Sequence, residues 1–206
     1  MIVVGCAARG GVFEGTTTPG EIATRPGRPG LVVAAPHGRS DQGTGAMATE
    51  IARLTGFGLV VAMMEPGVDE GAAYERRVRD TAQGPLAFYV EIHGTNRGEL
   101  ADRIEIATVG VDAEQAQKLR TLLELVRDAH LRGRPSGLSL AIRVAPADPV
   151  FDPASEAKRT GILRLPQRAL SIELPRVARQ EGRELYTLIL ADFLREAITV
   201  PLPARR

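Results

Sequence analysis

LVVAAPHGRSDQGTGAMATEIARLTG, Leu31 to Gly56, switches its apolar period once, and the switch sets the fold class. Leu31 to Ala35 is an unbroken apolar run, the pattern of a strand buried on both faces. Pro36-His37-Gly38 ends it. Beyond a glycine-rich loop, Met47, Ile51 and Leu54 follow at spacings of four and three, which line one face of a helix. Gly56 stands where a left-handed residue closes the last turn. A buried strand, a loop at its carboxyl end and an amphipathic helix form the repeating unit of a parallel α/β sheet.

The pattern recurs outward from this stretch. FGLVVAMM (Phe57 to Met64) reads as the next buried strand, and DEGAAYERRVRDTAQG (Asp69 to Gly84) as a helix with Arg76, Arg77 and Arg79 on a solvated face. PLAFYVEIHG (Pro85 to Gly94) is a third strand, and RIEIATVG (Arg103 to Gly110) alternates like a half-buried one. DAEQAQKLRTLLELVRDAHLRG carries a complete set of helix signals: Asp112 as N-cap, Gln115 three residues on, and Gly133 at the close. LSLAIRVA and ALSIELP read as two more strands, and VARQEGRELYTLILADFLREAI as a closing helix. Before Leu31, Met1 to Ala8 reads as an opening strand and Gly10 to Gly30 as a long loop or hairpin. The expectation is one domain over residues 1–206, a three-layer α/β/α fold with a mainly parallel or mixed sheet.

Composition excludes several functions. A net charge of +1 and 4% aromatic residues argue against nucleic acid, which calls for a basic groove interleaved with stacking rings. No apolar run approaches the roughly 18 residues that span a bilayer. Cys6 is the only cysteine and cannot form an internal disulfide, and no cleavable leader pattern opens the sequence, so a cytoplasmic protein is expected.

Side chains alternate across a strand, so Tyr89, Glu91 and His93 share one face while Phe88, Val90 and Ile92 share the other; likewise Ser171 and Glu173 oppose Leu170, Ile172 and Leu174. A carboxylate inside an apolar strand needs a partner, which Arg143 or Arg176 could supply to Glu173. Three strands thus deliver PHG, EIHG and IELP to the carboxyl edge of the sheet, where ligand sites of open α/β folds collect. Asp41 lies four residues past His37, close enough either to fold back toward the imidazole or simply to cap the following helix. His37, His93 and Asp41 are the donor types of a catalytic zinc site that keeps one position open, whereas a structural site would recruit cysteines. His130, late in a helix, complements the negative helix end. Ser40 lacks the Gly-x-Ser-x-Gly turn of a serine nucleophile.

At three motifs the sequence resembles zinc-dependent hydrolases with a carboxypeptidase-like (phosphorylase/hydrolase-like) α/β fold, nearest to N-formylglutamate amidohydrolases and phage-type poly-γ-glutamate hydrolases. APHGRSDQGTGAMATEIA resembles their first metal loop, VEIHGTNR the strand with the last ligand histidine, and LSIELPR the strand with the catalytic glutamate. The resemblance implies zinc (Zn2+) as cofactor, with His37, Asp41 and His93 as ligands and Glu173 as general base. Glu91 fits the acidic position two before the histidine, where it orients a ligand or replaces Asp41; Glu50 is a further alternative. Arg97 with Asn96 would grip a substrate carboxylate, with Arg176 and Arg143 as the other candidates. The implied activity is cleavage of an amide bond in a small acidic acylated amino acid or γ-linked peptide. The implied partner is a small-molecule or peptide substrate bearing a carboxylate, with no nucleic acid or membrane, and a homo-oligomer is left open. The competing reading is a non-catalytic or degenerate metal- or ligand-binding protein of the same fold, favoured by Asp41 where the family usually has glutamate.

Overall fold

Four buried runs pair side by side as the sequence predicts: β2 (Arg28–Ala35), β3 (Phe57–Ala62), β4 (Phe88–Thr95) and β7 (Arg168–Pro175) are parallel and adjacent in the order β3-β2-β4-β7. The structure, a computed structural model, describes residues 22–62, 71–133, 138–152, 154, 158–159 and 161–200. Antiparallel strands flank the parallel core. β1 (Ile22–Arg25) runs along β3, β5 (Arg103–Val109) runs along β7, and β6 (Ala141–Val144) lies outermost beside β5, which makes one mixed seven-stranded sheet among the described residues.

Two readings change. The described part of the Gly10 to Gly30 segment is no hairpin with the strand after it: β1 pairs with β3, and β2 already begins at Arg28. β5 is not half-wet, because Ile104 to Thr108 are all buried. Ile104 and Ile106 enter the apolar core, while Glu105 on the other face accepts from the Phe151 N–H at 2.6 Å and faces Arg103 Nε at 3.2 Å. The strand expected over Met1 to Ala8 lies outside the described residues.

The two sheet faces are covered unequally. On one, α1 (Thr44–Thr55), α3 (Ala113–Leu131) and α4 (Arg183–Ala197) pack against Val33, Val90, Ile92, Ile106, Leu170 and Ile172, all fully buried. Burial of each such side chain stabilises the fold by roughly 1.5–3 kcal/mol. Asp112 and Gln115 form the expected reciprocal capping box at the start of α3 (2.8 and 3.1 Å), and His130 near its end bonds Asp192 of α4 at 2.9 Å. On the other face α2 (Gly71–Ala82) sets Tyr74, Val78 and Ala82 on Val32, Ala34 and Val60. It packs against β1, β2 and β3, so the β4-β7-β5 half of this face is left for the polar residues. Among the described residues no helix is long and apolar enough to cross a membrane.

Candidate active site

The loop after β2 closes on itself before α1 begins. Asp41 N donates to His37 O at 2.8 Å, and the Thr44 N–H and hydroxyl both donate to Asp41 O, at 3.0 and 2.7 Å. Gly43 takes φ 94°, a left-handed conformation that strains any residue with a Cβ, and such a Cβ would sit 2.2 Å from Arg179 O. Asp41 therefore does not cap α1, whose N-cap is Gly43 without a side-chain bond. Its Oδ2 instead accepts from the Gly94 N–H at 2.9 Å, tying the His37 loop to the end of β4.

That tie brings the histidines together, with ring centroids 5.5 Å apart. His93 Nε2 meets Glu91 Oε2 at 3.2 Å, Tyr89 donates its hydroxyl proton to Glu91 Oε1 at 3.1 Å, and the Tyr74 and Tyr89 hydroxyls are 2.9 Å apart. A carboxylate only accepts, so Nε2 of His93 carries a proton and Nδ1 is left for another partner. Burial opposes charge on His93, but the Glu91 bond and charge, with Glu173 and Asp41 behind it, outweigh burial and raise its pKa to about 8. His37 goes the other way: burial and then the neighbouring His93 lower it, with Asp41 and Glu91 opposing. Its Nδ1 is buried with no partner.

Glu173 stands beside His93 on β7 and beside Glu105 on the other flank. Neither expected ion pair forms: Arg143 Nη1 lies 3.8 Å from Asp148, and Arg176 Nε donates to Gln180 Oε1 at 2.7 Å. Among the described residues the Glu173 carboxylate has no hydrogen bond or ion pair. Burial raises its pKa above the usual carboxylate value; His93 opposes this, while Asp41, Asp152 and Glu105 add to it. His37, Asp41, Glu91, His93 and Glu173 all line one cleft of ≈ 900 Å³, roofed on the α2 side by Tyr74 and Glu75.

A second cleft, ≈ 430 Å³, opens on the far side of the same loop and strand end, and Asn96, Arg97 and Arg176 line it with Arg179. Arg179 is 2% exposed; it donates from Nη1 to Gln42 O at 2.7 Å and from Nη2 to Thr95 O at 3.2 Å and to Asn96 Oδ1. Gly94 makes room for it, since a Cβ there would meet Arg179 Nε at 2.7 Å. Arg97 rests over the Phe151 ring, 4.3 Å from its centroid. Two candidates fall outside both clefts. Glu50, on the exposed face of α1, pairs with Arg53 at 2.5 Å, and Arg143 is held toward Asp148 at the β6 edge. Sequence reasoning missed Arg179 and Tyr74, whose partners are remote in the chain, and the role of the Tyr89 hydroxyl, although Tyr89 and Glu91 share a strand face two residues apart.

No family model matches the chain, and no curated protein does. Solved structures do match. The chain is similar to a bacteriophage poly-γ-glutamate hydrolase, with TM-score 0.55 and 14% identity over 89% of this chain and 90% of that one. It is also similar to a zinc-free apo form of YndL, with TM-score 0.52 and 15% identity over 86% and 90%. The chain shares the mixed-sheet α/β fold of these structures, the fold expected from its motifs. At these identities the likeness speaks for the fold alone.

Within that fold the donor chemistry suits a zinc ion. His37 Nδ1 is a buried nitrogen with nothing to bind, and the Glu91 bond leaves His93 Nδ1 free beside it. Asp41 retains Oδ1, whereas both Glu91 oxygens are engaged, by Tyr89 and His93, so a third donor would come from Asp41 more readily than from Glu91. Among the described residues no three His, Cys, Asp or Glu side chains already converge as a ready-made ion site.

Proposed function

We propose that the chain is a zinc-dependent amide hydrolase acting on a small substrate that carries a carboxylate next to the scissile bond, either an acylated amino acid or a γ-linked peptide. The observation that carries this reading is the meeting of His37, His93 and the unpaired Glu173 in one cleft, at the ends of three adjacent parallel strands. His37, His93 and Asp41 would hold the ion, which supplies Lewis acidity for water and the amide carbonyl.

Glu173 is the proton carrier. A carboxylate with no competing partner and a raised pKa takes a proton from water and returns it to the leaving nitrogen more readily than an ordinary surface glutamate. Glu91, held by Tyr89, keeps the His93 ring in one orientation. Arginine is suited to grip a carboxylate with two parallel hydrogen bonds, and the second cleft offers Arg97 and Arg176 for it. The clefts are one residue apart along the chain: Asp41 and Gly94 line the first, and Gln42 and Thr95 the second.

The test is direct. Protein purified without chelators should take up about one equivalent of zinc and hydrolyse members of a panel of N-acyl glutamates and γ-linked dipeptides. Glu173→Gln should lose turnover by about 10³-fold while still binding zinc. No zinc uptake by the wild type would sink the proposal. Zinc uptake with no turnover on the panel would favour the non-catalytic binding protein, a reading that the lack of a ready-made three-donor group among the described residues keeps in play.

A further inference from the structure

The floor of the acid-lined cleft presents a hydroxyl that no described protein group engages. Ser171 on β7 is 8% exposed, lines the cleft, and stands in register with Glu91 on one side and Ala107 on the other, two residues before Glu173. Among the described residues its side chain makes no hydrogen bond. By contrast the buried hydroxyls of Thr44, Thr55, Thr108 and Thr187 each donate to a backbone carbonyl. A hydroxyl that opens to the cleft without a protein partner is available to pair with a group arriving there.

The charge around Ser171 narrows what that group is. Asp41, Glu91, Asp152 and Glu173 line the same cleft, and no lysine or arginine does among the described residues. Glu75, the remaining carboxylate of the lining, is already neutralised by Arg79 and Arg164, both at 2.8 Å. Asp152, on the exposed wall, accepts from the Ala154 N–H at 2.7 Å through Oδ1, and the Lys158 charge acts on it without a direct ion pair. These four carboxylates outnumber the cationic groups the cleft sets against them, the His93 imidazole and the ion proposed above, so a ligand carboxylate is disfavoured here. An ammonium brings three donors and the opposite charge to a site whose open positions are acceptors.

Resting on the amide-hydrolase reading, we propose that the acid cleft binds a free ammonium on the acyl side of the scissile amide, through Ser171 Oγ and the Asp152 carboxylate. The substrate class is then a zwitterionic aminoacyl compound, with its amine in the acid cleft and its carboxylate in the arginine cleft, rather than an N-capped acyl amino acid.

Glycyl-L-glutamate carries the ammonium, N-acetylglycyl-L-glutamate replaces it with a neutral acetamide, and the two serve as the probes. Calorimetric titration of metal-stripped protein should give a Kd at least 10-fold lower for the free amine, and kcat/KM of the zinc-loaded protein should favour it by a similar factor. Ser171→Ala in the floor and Asp152→Asn on the exposed wall should each reduce the preference to under 3-fold. Equal or tighter binding of the capped peptide, no binding of either at millimolar concentration, or a preference that survives both substitutions overturns the ammonium site. Hydrolysis of both peptides without preference removes this site and leaves the amide-hydrolase reading standing. Preferential binding of the free amine without hydrolysis supports the site and removes the enzymatic reading.

Discussion

The two clefts at the end of β4 share a wall one residue thick and carry opposite charge. One is lined by imidazoles and carboxylates, the other by Arg97, Arg176 and Arg179. The two linings part between Asp41 and Gln42 in the loop and between Gly94 and Thr95 at the end of β4. The comparison teaches that a charge pattern near zero over the whole chain hides two local fields of opposite sign. It also identifies Arg179 as the joint of that wall, since from the second cleft its guanidinium ties Gln42 of the loop to Thr95 of β4.

Breaking the joint should have the largest effect on stability. Arg179→Leu leaves Gln42 O, Thr95 O and Asn96 Oδ1 without their buried donor, and urea unfolding should show a loss of about 3 kcal/mol. A loss below about 1 kcal/mol would mean that the wall stands without it.

The acid cleft should reveal itself through pH. The pKa of His93, raised to about 8 in the fold against an ordinary value of 6.5, makes its protonation stabilising. That contribution is complete below about pH 6.5 and is lost as pH rises through 8. Metal-free protein should therefore lose on the order of 1–2 kcal/mol across this window, and Glu91→Gln should flatten the decline. An unchanged slope in the variant would show that Glu91 is not the group that holds the proton on His93.

The arginine cleft gives the smallest of these effects. Arg97→Ala should raise KM about 10-fold for a substrate with a free carboxylate, with kcat little changed, because it removes one grip from a cleft that retains Arg176 and Arg179. The same substitution should leave KM for the corresponding carboxamide unaltered; an equal rise for both would show that Arg97 acts on the fold, through Phe151, rather than on charge.

Much of this site was legible before any coordinates. The unbroken apolar run of β2 and the alternation in β4 and β7 put His37, His93 and Glu173 at one edge and on one face, and the 5.5 Å approach of the two rings agrees. Other assignments failed for a common reason. Glu50 was a candidate ligand by its chain position, yet helical geometry sets it toward Arg53 and solvent. Arg143 does share the sheet face of Glu105 and Glu173, but Asp148 lies closer to it than any residue of the cleft lining is shown to be. Spacing cannot rank partners that compete in space.

What the sequence by itself determined was period and chemistry: which segments are buried strands, which face each polar residue takes, and which donor types reach the carboxyl edge. Those follow from local sterics and the alternation of side chains, which need no knowledge of the rest of the chain. Only the tertiary structure decided that Asp41 binds Gly94 instead of capping α1, that Arg179 ties the loop to the end of β4, and that Ser171 lines the acid cleft. Each of these depends on which distant segment lies opposite, and that is settled by the packing of the whole sheet, not by any stretch of it.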